Sequence, residues 1–358
     1  MSINIPFGRP QIDNHEKLAV LDVMDGTQYV HGEKNKEFER KFCEYTGAPY
    51  AVAVANATAA MHLFWYTQVG PGDEVICPAM THVATAHAIS YTGATPVFVD
   101  CELRTGNIDP ALVESAITEN TKGIAVVHYL GTPVDMDLIL KIADKHNLLV
   151  LEDCALSLGA YFGGKHTGLW GDAGCFSFYP VKHITCAGDG GMLITRDKKL
   201  ADRVRDQSSF GYKTETVGFN YRLSEMGAAV GIEQLKKSDE FLEKRRMNLS
   251  RLWTILHVHG LQTYPARLPN RGSAYALGVR TPNSTELIIK SLEKAGIEVS
   301  KYYQKYPPFW KCYQNMGYFN NACVIAALSI SLPVGPHLDL DDMIRIGETV
   351  AAIMEGYK

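Results

Sequence analysis

Lys182 is the residue whose setting allows the most distinctive chemistry. It lies in the stretch Gly174–Gly191, GCFSFYPVKHITCAGDGG, between an apolar run and a glycine-rich turn. Cys175–Tyr179 has the aromatic and small residues of a short buried strand. Pro180 ends regular pairing, and Lys182 follows where a long amine can swing over a sheet edge. Gly188, Gly190 and Gly191 allow tight backbone before Met192–Thr195 resumes a strand. Desolvation in an apolar, aromatic setting lowers a lysine's pKa. More of it is then the free amine that attacks a carbonyl and forms a Schiff base. A plain surface lysine on a loop fits the same segment, so the rest of the chain has to decide.

The elements that would position this lysine alternate. Strands are predicted at 50–55, 74–78, 95–100, 123–128 and 148–153. Helices are predicted at 14–25, 33–46, 59–68, 82–92, 111–117 and 135–146, with Asp109 and Pro110 as cap and first residue of one of them. This order predicts an α/β fold with a mostly parallel sheet covered on both faces. Ligands of such sheets sit at the carboxyl ends of the strands. The turn Asn56–Thr58, His82 and Asp153 collect there, and Ser177 and Lys182 come from the next strand and turn. Together they match pyridoxal phosphate. A helix start and a hydroxyl suit its phosphate, a flat side chain its ring, a carboxylate its pyridine nitrogen and a lysine its aldehyde. Singly each has a plainer reading. Asn56 or Thr58 can cap a helix, Asp153 can cap the next segment, His82 can be a packed histidine, and Ser177 a small strand residue.

Composition narrows the class. The chain has 358 residues, 46% hydrophobic and 21% charged, with a formal net charge of −4. That size predicts about two domains, and no basic run points to nucleic acid. No apolar run reaches membrane-spanning length, and the first residues lack a signal peptide's pattern. The expectation is a cytoplasmic protein. Its eight scattered cysteines, none in a CxxC pair, predict reduced thiols and no metal site.

The chain resembles the DegT/DnrJ/EryC/StrS sugar aminotransferases of the fold-type I, aspartate-aminotransferase-like class. The matching stretches are ANATAA (55–60), PAMTHVATA (78–86), PVFVD (96–100), PVDMD (133–137) and LEDCALSLGA (151–160). They continue with SFYPVKHITCAGDGG (177–191), GFNYRL (218–223) and LSISL (328–332). The resemblance implies that Lys182 holds the cofactor as an internal aldimine and moves the proton between substrate and cofactor carbons. It further implies that Asp153 pairs with the pyridine nitrogen and that His82 stacks on the ring. Ala57, Thr58 and Ser177 would bind the phosphate. Asn220 would reach the phosphate of a neighbouring subunit, so a homodimer with shared active sites is implied.

Three positions depart from the family's pattern. Asn56–Ala57–Thr58 replaces Ser-Gly-Thr. Leu156 stands where Gln or His contacts the phenolic oxygen, and His82 stands where Phe or Trp is common. A dehydratase branch carries histidine at the lysine position, so Lys182 favours transamination, with His183 a non-catalytic neighbour. The expected reaction converts a keto group of a nucleotide-linked deoxysugar to an amine, with glutamate as donor. Sugar dehydration and a non-enzymatic cofactor-binding sensor are the alternatives.

Residues 1–245 are expected to form the large cofactor-binding domain and 246–358 a smaller C-terminal α+β domain. A long helix over 224–246 would lead into the latter. The small domain would hold a strand at 275–280 and helices at 284–295 and 340–354. The aromatic stretch 302–313 fits either a pocket wall or a packed loop.

Overall fold

The computed structural model describes residues 5–265, 271–282, 285–300, 307–314 and 316–357. In chain order the strands are β1 (Tyr50–Val54), β2 (Glu74–Pro78), β3 (Thr95–Val99), β4 (Thr121–Val127), β5 (Leu149–Asp153), β6 (Tyr161–Phe162) and β7 (Lys165–His166). They continue with β8 (Ala173–Ser177), β9 (Gly191–Thr195), β10 (Thr263–Tyr264), β11 (Ala276–Arg280) and β12 (Ser329–Pro333). The helices are α1 (Asn14–Met24), α2 (Glu33–Thr46), α3 (Ala57–Tyr66), α4 (Val83–Ser90), α5 (Pro110–Val113) and α6 (Met136–His146). After them come α7 (Lys198–Gln207), α8 (Glu225–Lys236), α9 (Ser238–Val258), α10 (Thr285–Lys294), α11 (Asn320–Leu328) and α12 (Leu340–Glu355).

A seven-stranded sheet of order β1-β9-β8-β5-β4-β2-β3 carries the site. β3, β2, β4, β5 and β8 run parallel, and β9 is antiparallel to both its neighbours. The apolar run of β4 is buried along nearly its whole length, as a strand covered on both faces requires. The sheet ends at Ser177 on β8, two residues before the expected end. Beyond it, Phe178 pairs with the glycine turn through its N–H to the Gly190 carbonyl at 2.8 Å. Phe178 and Phe176 are buried against Phe38 and Phe42 of α2, with ring centroids 5.0–5.6 Å apart. Burying such rings contributes about 2–3 kcal/mol each and fixes the chain entering the lysine turn.

The helix expected over 224–246 is two helices. α8 ends at Lys236 with Lys237 as its cap, and α9 starts at once at Ser238 and runs through residue 246 to Val258. The expected division at 245/246 therefore falls inside α9. Leu249, Leu252 and Leu256 of α9 join β11, β12, α10 and α12 in a second core, which also takes Ile5 from the start of the chain. A three-stranded sheet, β10-β11-β12, forms its frame. All eight cysteines are free thiols. Of the aromatic stretch, residues 302–306 lie outside the described residues. Tyr313 packs on α4, its hydroxyl 2.7 Å from His87 Nδ1 and 3.0 Å from Ser90 Oγ.

Candidate active site

Lys182 is delivered by a turn. Its N–H donates to the Tyr179 carbonyl at 2.8 Å, with Pro180 and Val181 between them. The residue keeps part of its surface open to a cavity, while protein packs round the amine. Burial lowers its pKa to about 8, against the pull of Asp153 and Tyr179 in the other direction. The Nζ lies 5.0 Å from the centroid of the Tyr275 ring. His183, next in sequence, is buried and turned away, its Nε2 3.1 Å from the Ser273 carbonyl.

The cavity measures about 370 Å³. Ala57, Thr58, His82, Asp153, Ser177 and Lys182 all line it. Asn220 does not line this cavity, and its Oδ1 accepts from Arg222 Nε at 2.9 Å and Nη2 at 2.7 Å. Asn56 caps α3 by accepting from the Ala59 N–H at 2.8 Å. The N–H groups of Ala57 and Thr58 in the same first turn have no intrahelical acceptor. β9 closes on this helix start. A Cβ on Gly191 would stand 2.3 Å from the Asn56 carbonyl carbon and 2.6 Å from the Ala57 nitrogen, so only glycine lets the strand pass.

His82 caps α4 through Nδ1, which accepts from the Ala84 N–H at 3.2 Å. Burial and the nearby Lys182 lower its pKa, and because Nδ1 accepts it carries no proton, so the ring is a neutral flat surface. Asp153 ends β5, nearly buried. Its Oδ1 accepts from the Ala155 N–H at 3.0 Å and its Oδ2 from the Thr85 hydroxyl at 2.8 Å. Leu156 lines the cavity with hydrocarbon, so no contact to a phenolic oxygen comes from its side chain.

The acid before Asp153 anchors this strand end. Glu152 is fully buried and accepts from the N–H groups of Gly168, Trp170 and Gly171 at 2.7–2.8 Å. His128 Nδ1 accepts from the Val134 N–H at 3.1 Å, so its Nε2 carries the proton and donates to Glu152 at 3.0 Å. His128, Glu152 and Cys154 are close enough to hold a metal ion, but both Glu152 oxygens already accept two hydrogen bonds each. Burial alone would raise this carboxyl's pKa. The donors led by His128 outweigh it and leave the pKa below the ordinary 4.5. Its stabilising effect is therefore present above about pH 4.5 and is lost as the pH falls through the lowered folded value. Glu152→Ala strands three backbone donors and is expected to cost about 3–5 kcal/mol. Urea titration at pH 7 measures this, and the gap from wild type is expected to shrink below pH 4.

Sequence patterns missed four contributors. Thr85, Tyr275 and Glu152 touch or brace the site through contacts distant in sequence, and Thr81 braces Thr85 from four residues before it. Thr85 alone left a signal, standing three residues after His82 on the same helix face.

A cavity of this kind, at the carboxyl edge of a sheet with one antiparallel strand, is built as in fold-type I transferases, and the chain is one of them. It belongs to the DegT/DnrJ/EryC1/StrS aminotransferase family, whose sequence profile matches residues 10–351. A GDP-perosamine synthase of Caulobacter vibrioides is 40% identical over 317 residues, covering 82% of this chain and 83% of that protein. S. venezuelae DesV, solved in complex with a ketimine intermediate, superposes with a TM-score of 0.91 at 34% identity, covering 96% of this chain and 95% of that one. DesI, solved in the presence of its TDP-sugar product, gives 0.93 at 30% identity, over 99% of this chain and 94% of that one. A sugar aminotransferase-like protein of Streptococcus pneumoniae, solved in PLP form, gives 0.93 at 29% identity over 99% and 100%.

Proposed function

We propose that this aminotransferase uses pyridoxal phosphate to convert a keto group of a nucleotide-linked deoxysugar to an amine, with L-glutamate as donor. The observation that carries the reading is the single cavity shared by Lys182, Asp153 and the open first turn of α3. The residues present fit the cofactor. Two free helix N–H groups and the hydroxyls of Thr58 and Ser177 suit a phosphate dianion. Gly191 leaves the room in front of them that a side chain would fill.

When bound, the cofactor supplies an electron-poor ring that takes up the electron pair of the broken substrate C–H bond and carries the amine between two half-reactions. The protein supplies the rest. Lys182 offers its unprotonated amine to the aldehyde. Once displaced by the substrate's nitrogen, that amine accepts the proton at Nζ and returns it across the same face. Asp153 presents a fixed negative charge to the ring nitrogen and keeps a proton there. His82 covers one ring face with a neutral surface, and burial of the cavity excludes water. The relatives' GDP- and TDP-linked sugars support a nucleotide sugar as amine acceptor.

Loading the protein with pyridoxamine phosphate and offering a panel of GDP- and TDP-linked keto-sugars tests this. One member is expected to yield an amino-sugar by mass spectrometry as the aldehyde form's visible band returns. A deoxygenated sugar without nitrogen as the product would instead establish dehydration.

The functional unit is a cytoplasmic homodimer in which Asn220 serves the partner's cavity. Apolar side chains support this. Leu18, Leu21, Met24, Tyr29 and Val30 are exposed near the chain's start, and Phe210 and Tyr212 are exposed beside Asn220. His31, bonded to Ser209 Oγ at 3.3 Å and Arg222 Nη1 at 3.1 Å, joins the two groups. Among the described residues no helix is long and apolar enough to cross a membrane. Sedimentation is expected to give twice the 39.6 kDa of one chain; a monomer at micromolar concentration would exclude a shared site.

A further inference from the structure

Thr85 sits on the third residue of α4, fully buried, with Thr81 beside it at 2% exposure. A threonine inside a helix ordinarily turns its hydroxyl onto the carbonyl three or four residues back. Thr85 instead donates across 68 residues of sequence to Asp153 Oδ2 at 2.8 Å. Its single proton is committed there, so the 2.7 Å contact between Thr81 Oγ1 and Thr85 Oγ1 has Thr81 as donor. The result is a directed chain, Thr81 O–H to Thr85 O–H to the carboxylate, with the Ala155 N–H holding the other oxygen. Two hydroxyls with one acceptor at the end polarise each other and strengthen the last bond.

We propose that Thr85, backed by Thr81, is a positioning residue that fixes the plane of the Asp153 carboxylate toward the cofactor's ring nitrogen. The proposal rests on the Asp153 role given under Proposed function. Its physical basis is that a carboxylate held by one backbone donor alone still rotates about its Cβ–Cγ bond. A second donor on the opposite oxygen stops that rotation. α4 then places two groups at once, the His82 ring from its cap and the Thr85 hydroxyl one turn on. The other titratable groups facing Asp153 are Lys182 from the turn after β8, His82 from the start of α4, Cys154 beside it and Cys175 of β8. Burial holds both thiols in their neutral form. Of these groups only Lys182 and His82 can add to a titration near neutral pH, and His82 meets Thr85 through backbone alone, its carbonyl accepting from the Thr85 N–H at 3.1 Å.

The test is a double-mutant cycle on the cofactor-loaded protein. Thr85→Val keeps the shape and removes the hydroxyl, and Thr85→Ser restores it. Two quantities are read, the dissociation constant for pyridoxal phosphate and the pH midpoint of its visible band. A protonated ring nitrogen makes the nitrogen of the lysine link more acidic, so a loosened Asp153 raises that midpoint. Thr85→Val is expected to weaken cofactor binding about tenfold and raise the midpoint by about one unit, as loss of one charge-assisted hydrogen bond does. Thr85→Ser is expected to stay within about twofold of wild type in affinity. In an Asp153→Asn background Thr85→Val is expected to change neither quantity.

An unmoved midpoint in Thr85→Val overturns the proposal, and so does an equal effect with and without Asp153. Either leaves the aminotransferase reading intact. If Asp153→Asn itself binds the cofactor and titrates as wild type does, the Asp153 role falls and the proposal with it.

Discussion

Lys182→Ala is expected to leave a folded protein that binds pyridoxal phosphate without the visible band of a covalent link and turns over at least about 10⁴-fold more slowly. The size follows from two losses at once. The amine that anchors the aldehyde is gone, and so is the base that moves the proton in both half-reactions. Folding should survive, because the turn that carries Lys182 is held by its backbone and by Phe178 beneath it. In wild type the burial-lowered pKa of about 8 makes a second, graded expectation. Cofactor-free protein should capture pyridoxal phosphate about fivefold faster at pH 8 than at pH 7, as the free-amine fraction grows. Because the folded value lies below the ordinary 10.5, this lysine weighs against the fold below pH 8, and that cost fades between about 8 and 10.5. Turnover within tenfold of wild type in Lys182→Ala would remove the lysine from the mechanism.

Asp153→Asn has the second-largest expected effect. The amide keeps the shape, and its oxygen can still accept from one of the two neighbouring donors, but the charge is lost. A buried charge facing a protonated ring nitrogen is worth about 3–5 kcal/mol when one partner is removed. The expected fall in kcat is about 10²- to 10³-fold, with KM for the keto-sugar changed much less, because the charge matters most as electrons flow into the ring. Steady-state kinetics with the sugar identified from the panel reads both constants. An equal rise in KM with kcat preserved would mean that Asp153 serves binding alone.

Much of the site could be read from the chain because its parts sit at the ends of strands that announce themselves. LLVLED is an apolar run closing on two acids, and SFYPVK is an aromatic run closed by a proline turn. The parallel order of the sheet then brings Asp153 and Lys182 to one edge. What stayed hidden depends on contacts between residues far apart in sequence. Glu152 looks like a second strand-end acid, yet three N–H groups from residues 168–171 and one imidazole consume it. Thr85 looks like filler in an alanine-rich helix until β5 is packed beside it. The break at Lys237 has no glycine or proline to mark it. Its backbone stays near-helical at φ −99° and ψ −1°, and the change of direction comes from packing α8 on α1 and α2 while α9 leaves for the second core.

Borohydride reduction of the cofactor-loaded protein, followed by peptide mapping, tests the lysine assignment most directly. One peptide is expected to gain the mass of reduced pyridoxal phosphate, with the adduct on Lys182 and on no other lysine. An unmodified Lys182 in protein saturated with the cofactor, or a label fixed elsewhere, would contradict it.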